Sequence, residues 1–199
     1  MPDTFLSFAL FTIIATLSPG GATTLATASG VRFGYRRSMP LMLGIAAGLA
    51  ILATAGATGL GALLSAVPAL QVAIKLIGTA YLLWLALQIW NAGPPQAPGE
   101  AGQLPHGFLA GVALLLLNPK GWAMTMAAAG SFAALSAKPL TLAAIMAATF
   151  AAAAVASLSL WCLGGTLLAQ TLNTDAQWRL VNRALGALLA ASIVPLWMP

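Results

Sequence analysis

Two short motifs contain the residues best suited to bind a small polar ligand. They read LSPGG at 17–21 and LNPKG at 117–121. Ser18 and Asn118 are good N-cap residues, and a proline in the first helical position sacrifices no hydrogen bond. Each motif is therefore expected to end one helix and start another. The free N–H groups and positive dipole end of such a helix start attract anions, which here indicates a carboxylate.

The candidate binding residues belong to these motifs and to the first turn after them. A lysine beside a break in a helix cannot easily extend to the membrane surface, and a buried cation needs a partner. We therefore expect Lys120 to act in substrate binding or coupling. The alternative is a structural role, in which it donates to carbonyls freed at the break. The full candidate set is Ser18, Pro19, Gly20, Gly21, Thr23, Thr24, Asn118, Pro119, Lys120 and Gly121.

Four aromatic residues could line a pocket and hold an ammonium group by cation–π contact; packing or lipid contact is the alternative. They are Tyr81, Trp84, Trp122 and Trp161. No Asp or Glu lies inside the long apolar segments of the chain, so a carboxylate relay for protons is missing. Proton coupling would then depend on Lys120, His106 or the edge residues Asp3, Glu100 and Asp175.

The composition shows what kind of protein positions these residues. Of the 199 residues, 60% are hydrophobic and 6% are charged, against about 25% charged residues in an ordinary soluble domain. A water-soluble monomer is excluded. The net charge of +5 comes from basic residues scattered among apolar segments, which form no stripe for binding nucleic acid.

The apolar segments predict an all-α membrane protein with six transmembrane helices. They lack the alternation of a membrane β-barrel. The loop at 91–105, rich in Pro and Gly, is predicted to be a cytoplasmic linker within one transporter domain spanning 1–199. It separates repeat 1 (1–90) from repeat 2 (106–199). The helices are predicted near 4–31, 39–65, 70–90, 106–134, 140–168 and 179–197.

The two halves are predicted to be inverted repeats. Helices 1 and 4 align without a gap from Phe8 with Phe108 to Gly30 with Gly130, and both are broken, at Pro19 and Pro119. Because each half has three helices, the second half enters the membrane from the opposite side, as in many secondary transporters. About 14 residues before Pro19, at about 1.5 Å each, put the break near mid-bilayer. The alternative is a pair of simple proline kinks.

Basic residues predict the orientation. Arg32, Arg36, Arg37, Arg179 and Arg183 lie on one side, against Lys138 on the other. The excess of basic residues marks the cytoplasmic side, so both termini are expected outside the cytoplasm.

The sequence contains two GxxxG steps, Gly44 with Gly48 and Gly107 with Gly111. We interpret them as sites of close helix packing within the bundle rather than as a dimer face, and a homodimer remains an alternative.

The sequence offers little for other chemistry. Cys162 and His106 stand far apart, so no disulfide, zinc site or nucleophile and base pair is expected. We predict neither an enzyme nor a cofactor.

Several segments together resemble the LysE/RhtB-type amino-acid exporters of bacterial inner membranes. They are LSPGG at 17–21, SGVRFGYRRSMPLMLGIAAG at 29–48, IKLIGTAYLLWLAL at 74–87, GFLAGVALLLLNPKGW at 107–122 and NRALGALLAAS at 182–192. The resemblance implies a six-helix carrier, driven by the proton gradient, that exports amino acids or related small metabolites. The family's Pro-Gly-Pro is Pro19-Gly20-Gly21 here, and Ala22 and Thr23 replace an Asn pair that often follows.

The resulting hypothesis is an exporter of neutral zwitterions with a midplane site. The carboxylate would bind at the half-helix starts near Lys120, and the ammonium at unwound carbonyls near Leu17 and Leu117 and at Ser18 or Asn118. Without a membrane carboxylate, neutral or anionic amino acids are expected over lysine or arginine. The alternatives are export of another small solute or a metal cation, and a scaffold that transports nothing.

Overall fold

The computed structural model describes residues 2–59, 66–94 and 107–198, and within them all regular structure is helical. The predicted linker beyond residue 94, His106, Glu100 and the segment 60–65 lie outside the described residues. The helices are α1 (Pro2–Leu17), α2 (Gly21–Ala57), α3 (Pro68–Trp90), α4 (Phe108–Leu116), α5 (Pro119–Ser131), α6 (Pro139–Ala169), α7 (Asp175–Ala191) and α8 (Val194–Trp197), with a 3₁₀ turn at Ala133–Leu135.

Among the described residues, three helices, α2, α3 and α6, are long and apolar enough to cross a membrane, and α4 with α5 forms a fourth candidate span that is bent by 66°. At about 1.5 Å per residue, the 37 residues of α2 exceed the hydrocarbon thickness of about 30 Å. They divide at Gly34, whose φ of 74° and ψ of 170° are not helical. This positive φ suits glycine, which has no Cβ to clash. The division falls three residues beyond position 31, where the sequence predicts the end of helix 1.

The last predicted helix begins earlier than expected. We predicted its start at 179, whereas α7 begins at Asp175. The reason is a capping box: the Thr174 hydroxyl accepts from the Gln177 N–H at 3.3 Å, and the Gln177 side chain accepts from the Thr174 N–H at 3.1 Å. Such reciprocal bonds satisfy N–H groups at a helix start.

Glycines let the second part of α2 (35–57) pack closely on α4. A Cβ at Gly44 would collide with the Phe108 carbonyl, and a Cβ at Gly111 would collide with the Leu41 carbonyl. Gly48 meets Leu115, where a Cβ would lie at 2.7 Å from the Leu115 Cβ. These contacts confirm close packing within the bundle for Gly44, Gly48 and Gly111, whereas Gly107 has no neighbour among the described residues within 4 Å of its Cβ position. Small residues allow this approach of backbones.

The first part of α2 (21–33) packs on α6 in the same way. A Cβ at Gly30 would collide with the Cys162 carbonyl, and a Cβ at Gly165 would collide with the Thr27 carbonyl. The third contact joins α3 and α7, where a Cβ at Gly186 would lie 2.8 Å from the Ala86 carbonyl oxygen, and the Asn182 amide donates to the Ala92 carbonyl just beyond α3 at 2.6 Å. The fold therefore pairs elements from opposite halves of the chain.

Candidate functional site

The first break is the segment Ser18–Gly20, between α1 and α2. Gly20, extended at φ 176° and ψ −174°, is the N-cap of α2, and its N–H donates to the Thr23 hydroxyl at 2.9 Å. The prediction that Ser18 caps the helix is wrong: its hydroxyl donates back to the Ala15 carbonyl at 2.9 Å. Extended backbone at Gly20 delays the helix, so Pro19 lies outside it.

The second break lies between α4 and α5 and follows the prediction. Asn118 is the N-cap, and its side-chain oxygen accepts from the Lys120 N–H at 3.0 Å. Pro119 occupies the first helical position, where a missing N–H sacrifices no helical bond. The Trp122 indole donates to the Leu116 carbonyl at 2.8 Å, which satisfies an acceptor freed at the end of α4.

Lys120 joins the two breaks. Its Nζ donates to the Ser18 Oγ at 2.7 Å and to the Ser18 carbonyl at 2.9 Å, with a longer contact of 3.4 Å to the Pro19 carbonyl. The side chain thus starts in the first turn of α5 and ends on the backbone that follows α1. We call these three oxygen atoms the cradle.

Two further donors reach the first break from α6. The buried Ser157 hydroxyl donates to the Thr16 carbonyl at 2.8 Å, and the Trp161 indole donates to the Leu17 carbonyl at 3.1 Å. Backbone acceptors inside a membrane need partners, because no water reaches them there. Three consecutive carbonyls, from Thr16 to Ser18, therefore depend on side chains of the second half of the chain.

A cavity of about 30 Å³ lies between the breaks, which is large enough to hold a water molecule. Lys120 is the one charged side chain among the described residues around it. Seven of the ten candidate binding residues line it, and Pro19, Thr24 and Pro119 do not. The full lining is Ala15, Thr16, Ser18, Gly20, Gly21, Ala22, Thr23, Ile45, Leu49, Leu115, Asn118, Lys120, Gly121, Met124, Ala154 and Leu158.

The four predicted aromatic residues do not belong to that lining. Trp122 and Trp161 instead donate to backbone carbonyls beside the breaks. Tyr81 and Trp84 contact each other at 5.7 Å between ring centroids on α3, and Trp84 is 48% exposed. Trp161 also borders a separate cavity of about 300 Å³, together with Leu17, Thr27, Leu160 and Gly164.

Sequence reasoning missed the apolar wall of the site and its support from α6. Ile45 and Leu49 come from the second part of α2, and Ala154 and Leu158 from α6. Such residues are too common in apolar helices to be singled out. Ser157 carried a weak signal, because a hydroxyl in the Ala-rich run AAAAVASLSL needs an acceptor within its helix or on a neighbour.

Comparison with known proteins gives the chain its relatives. A family model described as LysE type translocator matches residues 13–193. A cysteine/O-acetylserine efflux protein of Klebsiella pneumoniae is 29% identical over 97% of this chain and 94% of its own length. A homoserine/homoserine lactone efflux protein of Salmonella typhimurium is 31% identical over 44% of this chain and 43% of its own length.

A protein of Vibrio cholerae named as an uncharacterized membrane protein is 33% identical over 58% of this chain. The chain spans 58% of that relative's length. No solved structure matches. Because the family model matches residues 13–193, which is most of the chain, the chain belongs to the LysE family of membrane translocators.

Proposed function

We propose that this protein is a secondary exporter of small neutral amino acids, or related zwitterionic metabolites, across the bacterial inner membrane. The observation that carries the proposal is the cavity between two broken helices, which has an apolar wall and Lys120 as its charged group. Helix ends facing one another across a cavity are a common way to build a transporter site. Alternating access would expose this site first to the cytoplasm and then to the periplasm.

Reciprocal packing supports the inverted repeat with six spans. The first broken helix, α1 with residues 21–33, packs on α6, while the second broken helix, α4 with α5, packs on residues 35–57 of α2. The remaining pair, α3 with α7, completes a symmetric exchange between the halves. Rocking of one half against the other would open the cavity on alternate sides, with both termini outside the cytoplasm.

The first turn of α2 is the better carboxylate site. Gly21, Ala22 and Thr23 line the cavity, and the first N–H groups of a helix have no acceptor within it. In α5, by contrast, Asn118 already accepts from the Lys120 N–H. A carboxylate at the start of α2 would lie beside the Lys120 ammonium, which would balance its charge.

The relatives point to small substrates. Cysteine, O-acetylserine and homoserine, which appear in the names of the two efflux proteins, are zwitterions with short polar side chains. The glycines at the first break and a cavity of about 30 Å³ suit a small ligand for which the site must still widen. A second cationic side chain would meet no carboxylate among the described residues that line the cavity, so lysine and arginine should be poor substrates.

The test is counterflow of labelled amino acids in proteoliposomes. Threonine, homoserine, cysteine and O-acetylserine should exchange faster than lysine and arginine, and an inwardly directed proton gradient should accelerate efflux. The Lys138→Ala variant, altered at an exposed residue outside the cavity, is the matched control. Faster efflux of lysine than of threonine or leucine would contradict the substrate class, and no exchange of any solute would favour a scaffold. Exchange of a metal cation instead would favour the other transporter alternative.

A further inference from the structure

We infer that the cradle is the subsite for the substrate's ammonium group, and that Lys120 fills it when no substrate is bound. This inference rests on the proposed function, because it assigns a role within the same site. The supporting observation is that an ammonium group already occupies the cradle, with contacts of 2.7, 2.9 and 3.4 Å to its three oxygen atoms.

The cradle matches a primary ammonium in number and charge. An ammonium has three N–H donors and no acceptor, and the cradle supplies three acceptors. The Ser18 hydroxyl donates its own proton to the Ala15 carbonyl at 2.9 Å, so its lone pairs face the lysine. The carbonyl end of α1 also carries a partial negative charge, which favours a cation.

The cradle holds one cation at a time. Among the described residues that line the cavity there is no carboxylate to balance a second positive charge. The substrate's ammonium and the Lys120 ammonium would therefore compete for the same oxygen atoms. Binding of substrate requires Lys120 to leave.

The surroundings allow Lys120 to move to the substrate's carboxylate. A lysine ends in a flexible four-carbon stem, and its Cδ and Nζ lie 3.2 Å from the position that a Cβ on Gly20 would take. Glycine at this position therefore leaves the stem its room. The first turn of α2 adjoins the cradle, so a carboxylate bound there would lie within reach of a displaced Lys120. The recognised unit is a free primary ammonium next to a carboxylate.

The test uses purified Lys120→Ala protein in nanodiscs, with propylammonium chloride as the probe. Propylammonium should fill the vacant cradle and raise the Tm of this variant by about 3 °C or more. Tetramethylammonium, which has no N–H donor, should not, and neither salt should stabilise the wild type or the Lys138→Ala control. Equal effects of the two salts, or equal effects of propylammonium on wild type and Lys120→Ala, would overturn the inference.

A second variant covers the case in which Lys120→Ala does not fold. Lys120→Gln keeps most of the stem and removes the charge, and it should bind propylammonium at least about tenfold more tightly than wild type, since the competing ammonium is gone. Unchanged affinity would refute competition. In wild type, threonine should bind and N-acetylthreonine, which lacks the ammonium, should not.

Counterflow of threonine by wild type separates the two proposals. Threonine exchange without any gain of propylammonium binding in the variants would support the exporter and refute the assignment of the cradle. A gain of propylammonium binding without exchange of any solute would support the cradle as an ammonium site and refute the exporter.

Discussion

The two breaks are related in sequence and differ in what satisfies their backbones. In the ungapped alignment Gly20 corresponds to Lys120, and Ala22 to Trp122. At these two positions, therefore, the second break has side chains that donate hydrogen bonds, and the first break has none. Trp122 stays at its own break and donates to Leu116, whereas Lys120 crosses to the first break and donates to Ser18.

This difference gives the breaks different dependence on the rest of the fold. The second break is capped by Asn118 and Trp122, residues of its own broken helix. The first break receives Ser157, Trp161 and Lys120 from the other half of the chain. Any motion between the halves must therefore exchange hydrogen bonds at the first break, while the second can move as a unit. The two copies of the motif therefore differ: the second break is stabilised by residues of its own broken helix, and the first break depends on residues of the other half.

The largest effect on transport is expected from substitution of Lys120, which connects the two breaks. Lys120→Ala removes both the cradle's cation and the charge that would balance a carboxylate, so efflux should fall by about 100-fold or more, equal to roughly 2.7 kcal/mol or more of transition-state stabilisation. Efflux from proteoliposomes measures this, with membrane insertion checked by protein recovery. Full activity would refute a role for Lys120 in transport, and Lys138→Ala should keep wild-type activity.

The two tryptophans test whether dependence on the other half matters for transport. Trp161→Phe and Trp122→Phe each leave one carbonyl without its indole donor, so each should lower the free energy of unfolding by about 1–3 kcal/mol. Of the two indole hydrogen bonds, that of Trp161 is the one that joins the two halves of the chain. Trp161→Phe alone should therefore also change the efflux rate, by about threefold or more when equal amounts of folded protein are compared. Equal effects of both variants on transport would remove the distinction between the breaks.

Loss of the cap should affect the second break alone. Asn118→Ala deletes the acceptor for the Lys120 N–H and should lower stability by about 1 kcal/mol. Ser18→Ala removes no cap, since Gly20 caps α2, and should weaken transport more than stability. Chemical denaturation in detergent measures the change in stability, and efflux from proteoliposomes measures the change in transport. A larger loss of stability from Ser18→Ala than from Asn118→Ala would contradict the assignment of caps.

The smallest effect on stability is expected for Gly20→Ala. The backbone there is extended, a conformation that any residue adopts, and the new Cβ would lie 3.2 Å from the Lys120 Cδ and Nζ. A flexible side chain can shift by the few tenths of an ångström required, so the unfolding free energy should change by less than about 1 kcal/mol. Transport should slow by several fold, because Lys120 loses room to move. Unchanged efflux would show that the stem needs no space at Gly20.

Much of the architecture was determined by the sequence. Proline has no N–H and favours the first turn of a helix, so Pro19 and Pro119, each preceded by a residue that suits an N-cap, predicted both breaks from local chemistry. Gly44 and Gly111 predicted close packing, because only a residue without a side chain lets backbones approach so nearly. The apolar segments predicted an all-helical membrane protein, because inside lipid each backbone group of a helix must find its hydrogen-bond partner within that helix.

Tertiary structure alone decided where Lys120 points and which groups surround it. The sequence favoured substrate binding or coupling for Lys120, with donation to freed carbonyls as the alternative, and the structure shows that its ammonium donates to Ser18. Packing of α6 beside the first break brought Ser157 and Trp161 to two carbonyls, and it kept the four aromatic candidates out of the cavity lining. Breaks in a helix are local and can be read from the chain. The donors that satisfy them come from distant residues, whose approach depends on how the helices pack.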